Sequence, residues 1–199
     1  MHDYAIFGHD RVKIGRWLGV ASIVISGGMS QLLVHVYALT GIEAFTKATI
    51  TTAVIYFILH WIFNKYIWKL PFFEIPNLSG KWEIIGKTLE EDGGVKYDWN
   101  AEIKIEQNWK EIIISLETKN SQSYSQTATI EKRHGFSGWL LSYSYKNEPF
   151  TEQCHELNSH KGYCQIEFDK DIAKGDASYF NNNGRRTFGI MKLVKVTDD

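Results

Sequence analysis

Lys96-Tyr-Asp-Trp-Asn-Ala-Glu-Ile-Lys-Ile-Glu106 alternates without a break. Tyr97, Trp99, Ala101, Ile103 and Ile105 fall on one face, and Lys96, Asp98, Asn100, Glu102, Lys104 and Glu106 on the other. Successive strand side chains point to opposite sides, so this pattern is a strand with one buried face and one wet face. Outward from it the pattern recurs, with turn residues such as Glu90-Glu-Asp-Gly-Gly94 between runs. Lys81 to Thr88 precedes it. Glu111 to Thr118, Tyr124 to Lys132, Trp139 to Tyr145, Gly162 to Phe168, Asp176 to Phe180 and Arg185 to Val196 follow it. Eight strands with hairpin-length turns predict an all-β, antiparallel up-and-down barrel of the lipocalin-like kind, since closure removes both sheet edges. A barrel of that size holds one small ligand.

The chain before the strands has a different character. From Leu18 to Ile42 there is no Asp, Glu, Lys or Arg, a run of about 25 residues where about 20 cross the hydrocarbon core as a helix. Ala48 to Asn64 is a second uncharged run. A soluble helix of this length would display a charged face, so the two runs predict an N-terminal transmembrane hairpin over residues 1–69, with spans about 17–41 and 48–68. Pro71 and Pro76 then impose a linker, 70–78, because proline continues neither helix nor strand. The barrel occupies 79–199. Arg11, Lys13 and Arg16 before the first run, and Lys65 and Lys69 after the second, place both termini on the cytoplasmic side. Trp17, Trp61, Tyr66 and Trp68 suit the interfacial belt, and Ser26, Gly27, Gly28, Ser30 and Gln31 form a small, polar helix-contacting face. His35 and His60 lie within the spans; intramembrane histidines are functional candidates, although a neutral imidazole between helices is the plainer reading. The polar start, Met1 to Asp10, lacks a signal peptide's positive region, and the first run exceeds its apolar stretch of about 7 to 15 residues, so the segment is expected to stay in the mature protein.

Composition excludes some functions. A formal charge of −1 over 199 residues carries no basic footprint for duplex nucleic acid. Cys154 and Cys164 are the only cysteines and have no metal-ligand spacing; a disulfide and two lone thiols both fit. Glu152, His155 and Glu156, between the fifth and sixth runs, match no strong metal signature and read as solvated surface. No nucleophile elbow, Walker loop or zincin helix is present, and His134, His155 and His160 fall at turns, so a binding module is expected rather than an enzyme, with no metal and no cofactor.

Alternation also predicts the barrel lining: Trp82, Ile84, Tyr97, Trp99, Ile112, Ile114, Tyr124, Gln126, Trp139, Leu141, Tyr143, Tyr145, Tyr179, Arg185, Thr187 and Met191. Such aromatics often simply fill a core. Tyr and Trp faces also stack on bases at about 1 to 3 kcal/mol each, and a guanidinium forks onto phosphate. Tyr143, Tyr145 and Tyr179 are therefore candidate stacking residues, with Arg185 and Thr187 as candidate phosphate contacts. Asn181-Asn-Asn-Gly184 is a tight turn, after which the phase of Gly189, Met191 and Leu193 turns Arg185, rather than Arg186, inward.

Two apolar helices, a proline-containing linker and then Asn77-Leu-Ser-Gly-Lys-Trp82 resemble the two-transmembrane, β-strand-rich effectors of bacterial cyclic-oligonucleotide-based anti-phage signalling (CBASS). Ser159-His-Lys-Gly162, Gly175-Asp-Ala-Ser-Tyr-Phe-Asn181, Arg185, Thr187, Gly189 and Leu193 resemble that family's closing strands. The resemblance implies an inner-membrane protein whose cytoplasmic barrel binds a cyclic dinucleotide made by a partner nucleotidyltransferase (CD-NTase). In that family binding promotes oligomerisation, and the membrane helices then disrupt the bilayer to abort infection.

Gly-x-Trp near the first strand and an arginine near the last are also similar to lipocalins. A membrane-tethered carrier of a lipid or apolar ligand would have a cavity lined by Trp99, Ile103, Leu141 and Ile166. A purely structural subunit would have a barrel packed solid.

Overall fold

A computed structural model of the chain describes residues 1–41, 51–132, 138–153, 158–182 and 186–197. It divides into a barrel unit, Met1–Gly8 with Glu74–Asp199, and a helical unit, His9–Phe73. The helical unit is thus inserted into the barrel's sequence, an arrangement the boundaries drawn from alternation do not contain.

The barrel strands are β3 (Gly80–Leu89), β4 (Val95–Gln107), β5 (Glu111–Glu117), β6 (Ser121–Lys132), β7 (Trp139–Pro149), β8 (His160–Phe168), β9 (Lys174–Asn182) and β10 (Phe188–Lys195). Each pairs antiparallel with its neighbour in sequence, β10 returns to β3, and β5 meets β6 to close the ring. The expected eight-stranded barrel therefore forms. The β5–β6 seam is short: Ser115, Leu116 and Glu117 face Tyr124, Ser123 and Gln122, and there the pairing stops. Two strands from the chain's first residues fill the rest. β1 (His2–Asp3) adds to β5 through His2 and Ile112, and β2 (Ala5–Ile6) runs parallel to β6 beside Thr129 and Ile130.

One half of the barrel is packed solid. Trp82, Ile103, Ile105, Ile112, Ile130, Leu141, Ile166 and Leu193 are fully or almost fully buried there. The Trp82 ring lies 4.8 Å from Phe168, and its indole N–H donates to the Leu78 carbonyl at 3.2 Å. A polar knot closes this end. Gln107 accepts from the Leu78 amide at 2.9 Å and donates to the Tyr4 hydroxyl at 3.0 Å and the Pro76 carbonyl at 3.1 Å, while Tyr4 donates to the Asn108 carbonyl at 3.0 Å. A buried amide needs all these partners, since each polar group left unpaired costs about 1 to 3 kcal/mol.

The predicted lining is corrected on β6. Tyr124 and Gln126 point outward, and Ser123 and Ser125 are the buried residues of that stretch. A register shift between Ser125 and Thr127 is the cause: the extra residue of a bulge reverses the alternation, so Ala128 and Ile130 are inward beyond it. Trp139 is only half-buried, beneath Lys132, whose ammonium lies 5.8 Å from the ring centre. β10 starts at Phe188 instead of Arg185, which lies outside the described residues.

In the helical unit α1 (Arg11–Thr40) starts where the Asp10 carboxylate accepts from the Lys13 amide at 3.0 Å. It stops at Gly41, whose left-handed φ of 69° is ordinary for glycine and costly for residues with a Cβ. Its best 18-residue window has a mean hydropathy of 1.6 with 6% buried, which is the opposite of a soluble core helix. Trp17, Ile23, Val24, Leu32, Val34 and Leu39 are each at least 60% exposed. So large an apolar surface is stable against lipid, not water. α2 (Thr52–Lys65) packs on α1 and is 14 residues long. Among the described residues only α1 has the length and apolarity to cross a membrane. Where the sequence predicts a second span over 48–68, the described residues form the 14-residue α2 and a short 3₁₀ turn at Ile67–Lys69, with another at Pro71–Phe73 beyond it, so the expected two-helix hairpin is not met as drawn. Residues 42–50, which include most of the expected connecting loop, lie outside the described residues. His35 is exposed on α1, and the His60 ring lies 6.0 Å from Tyr56.

Candidate ligand-binding cavity

The other half of the barrel is hollow. A cavity of about 370 Å³ lies at the end of the barrel marked by Thr88, Tyr97, Thr118, Ser121, Asn147 and His160, within the size range of small-molecule sites. Its lining mixes aromatic rings with amides and hydroxyls: Trp99, Tyr143, Tyr145 and Tyr179 beside Asn147, Asn181, Thr88, Ser123 and Thr187. Of the five residues predicted as ligand contacts, the structure brings four, Tyr143, Tyr145, Tyr179 and Thr187, to this one cavity. Arg185 lies outside the described residues.

Three of the rings occupy space that glycines leave open. A Cβ on Gly86 would overlap the Trp99 ring, one on Gly162 would overlap Tyr145, and one on Gly189 would crowd Tyr179. The pairs are direct cross-strand neighbours, Gly86 with Trp99, Gly162 with Tyr145 and Gly189 with Tyr179. Each ring lies flat across the neighbouring strand instead of standing up into the lumen, which keeps the lumen open. Tyr179 is held there by a 2.8 Å bond with Thr88 and an edge contact with Trp99 at 5.8 Å. The Tyr145 hydroxyl donates to Asn181 Oδ1 at 2.6 Å across Gly162, and Asn181 Nδ2 donates to Thr187 Oγ1 at 2.7 Å.

The cavity floor is uncharged. Burial pushes the Cys164 thiol up to about 12, against which its hydrogen bond with Tyr143 is a smaller, opposing effect. Burial, then the neighbouring Cys164, lifts the Tyr143 phenol well above its usual range. Both stay protonated at neutral pH. Among the described lining residues the one lysine or arginine is Lys119, which is exposed.

Sequence reading missed Asn147, His160, Asn181, Thr88 and Ser123. Four carried a usable signal. Asn147 continues the phase of Tyr143 and Tyr145, Asn181 that of Tyr179, Thr88 that of Trp82 and Ile84, and His160 that of Gly162 and Cys164. Turn-like composition around them hid the phase. Ser123 carried none, because the bulge that turns it inward depends on the partner strand.

The cavity is not the apolar one expected of a lipid carrier. Ile103, Leu141 and Ile166 are sealed in the packed half, and only Trp99 of that set lines the opening. Nor is the barrel packed solid throughout, as a purely structural subunit would have it. Cys154, His155 and Glu156 lie outside the described residues; among those described no cluster suits a metal ion, and Glu152 is exposed.

Comparison with known proteins agrees with both units. Residues 73–195 match the family model described as Cap15, cyclic dinucleotide receptor domain, and residues 12–69 match the one described as Cap15, TM helices. CD-NTase-associated protein 15 of Yersinia aleksiciae is 33% identical over 207 aligned residues, covering 98% of this chain and 97% of that protein. Cap15 is a receptor family, not a recognised enzyme family. A membrane-seeking helix joined to a barrel with a polar, aromatic cavity is thus matched unit by unit and almost end to end, and the chain belongs to the Cap15 family of CBASS effectors.

Proposed function

We propose that the cavity binds a cyclic dinucleotide made by a CD-NTase during phage infection, and that binding drives self-association which lets the membrane helices disrupt the inner membrane. The observation that carries this reading is the lining itself, tyrosines laid across glycines around an uncharged floor, in a domain of the cyclic dinucleotide receptor family. Tyr145 and Tyr179 offer ring faces to bases, Tyr143 closes the floor beneath them, and Thr187 and Arg185 meet the phosphodiesters.

In this reading α1 and α2 form a two-helix hairpin with both termini cytoplasmic, because Arg11, Lys13, Arg16, Lys65 and Lys69 flank its two ends. Self-association has an apolar surface to use. Phe180, Phe188, Ile190 and Ile85 are 54%, 40%, 45% and 63% exposed on the outer faces of the adjoining strands β9, β10 and β3. A ligand shifts an assembly equilibrium only by its differential affinity for the two states, so the assembled form must hold the nucleotide more tightly.

The test uses the full-length chain in detergent with 3′,3′-cyclic di-AMP, cyclic di-GMP and cyclic UMP-AMP. At least one should raise the melting temperature, and Tyr179→Ala and Arg185→Ala should abolish that rise. No response of the wild type to a full panel of cyclic dinucleotides would sink the proposal.

A further inference from the structure

The hydrogen bonds around Asn181 have a direction. An amide oxygen only accepts and an amide nitrogen only donates, while a hydroxyl has one hydrogen to give. Asn181 Oδ1 takes the Tyr145 hydrogen at 2.6 Å, and Asn181 Nδ2 gives one to Thr187 Oγ1 at 2.7 Å. The Thr187 hydroxyl therefore receives on the side facing Asn181 and has its own hydrogen to donate elsewhere. Thr187 is half-exposed and lines the cavity. A backbone bond from the Asn181 amide to the Thr187 carbonyl at 2.7 Å holds the two residues in register.

We infer that Asn181 is a positioning residue: by occupying a Thr187 lone pair through Nδ2, it commits the Thr187 hydroxyl to donate into the cavity, towards a phosphodiester oxygen of the ligand. This rests on the cyclic dinucleotide reading and adds to it a rule of recognition. The rule is that an acceptor oxygen of the ligand at Thr187 meets a hydrogen not already spent on Asn181.

Asn181→Asp tests the rule with almost no change of shape. The carboxylate still accepts from Tyr145, but its second oxygen now accepts from Thr187 and withdraws that hydrogen from the ligand. Titration calorimetry of the full-length chain, with whichever of the three cyclic dinucleotides named above stabilises the wild type, reads the effect. Asn181→Asp and Thr187→Val should each weaken binding about tenfold or more, the scale of one lost hydrogen bond to a charged group. Thr187→Ser should bind like the wild type.

The double variant separates positioning from simple charge repulsion. If Asn181 acts through the Thr187 hydroxyl, adding Asn181→Asp to Thr187→Val weakens binding little further. An equal further loss in the double variant, or wild-type affinity in Thr187→Val, would overturn the inference and leave the ligand assignment standing. Should Thr187→Val fail to fold by thermal melt, Thr187→Ala takes its place in the same cycle.

Discussion

At the residue scale the cavity is set by what glycines omit. Gly162 has Tyr145 on one neighbouring strand and Asn181 on the other, and both lean into the space a Cβ would take. Gly162→Ala should therefore lower stability by about 1 to 3 kcal/mol, the range for overpacking. Denaturant unfolding measures it, and Tyr145→Ala in the same background should recover part of the loss by emptying the clash. Cys164 gives a second expectation. Its thiol ionises near its ordinary value of 9.0 in the unfolded chain and only at about 12 in the barrel, so stability is full below pH 9 and falls as pH rises towards 12. Tyr143 adds to that fall above its ordinary 10.0. Cys164→Ala should flatten the part of the profile that begins near pH 9, and native Cys164 should resist alkylation at pH 8, because the thiolate is the reactive form. Rapid labelling at pH 8 would contradict the burial described above.

At the element scale the seam between β5 and β6 is the weak place in the ring. The two strands pair over three positions only, and the rest is held by β1 and β2. His2 adds a 2.7 Å contact to Ser125, whose hydroxyl also accepts from the Ile114 amide at 3.0 Å, so the first residues reach the inside of both seam strands. Tyr4 is 4% exposed and links the seam to the Gln107 knot. Tyr4→Phe keeps the ring and leaves the Asn108 carbonyl and a Gln107 N–H short of a partner. It should cost about 1 to 3 kcal/mol by chemical unfolding, whereas an exposed change such as Lys174→Gln should fall within about 0.5 kcal/mol. Equal stability of the two variants would show that the N-terminal strands merely rest on the barrel.

At the scale of the whole molecule, the helical unit is inserted between Gly8 and Glu74, both of which belong to the barrel unit. The proposed output therefore leaves and re-enters the receptor by two covalent strands rather than one tether. If the helices disrupt the membrane through specific packing, the small and polar face at Ser26 to Gln31 matters and bulk hydrophobicity does not. Replacing those residues with leucines should leave membrane fractionation unchanged and abolish ligand-dependent killing of cells carrying the partner nucleotidyltransferase. Killing at the wild-type rate would reduce the helices to an anchor.

How much of this was legible in the chain follows from the range of the forces involved. Uncharged runs and period-two alternation are local, so the apolar first helix, the eight barrel strands and the inward phase of Tyr143, Tyr145, Tyr179 and Thr187 could be read from sequence. The seam strands at His2–Asp3 and Ala5–Ile6 are too short to show a period, and exist only because β5 and β6 part company. The reversal at Ser125 depends on a register set by β7. Whether aromatics fill a barrel or line an opening is likewise a matter of cross-strand pairing: Trp82 meets Ile103 and packs solid, while Tyr145 meets Gly162 and leaves room. Side-chain periodicity is written residue by residue; pairing partners are chosen by the closed sheet, and only the closed sheet decided where this barrel is hollow.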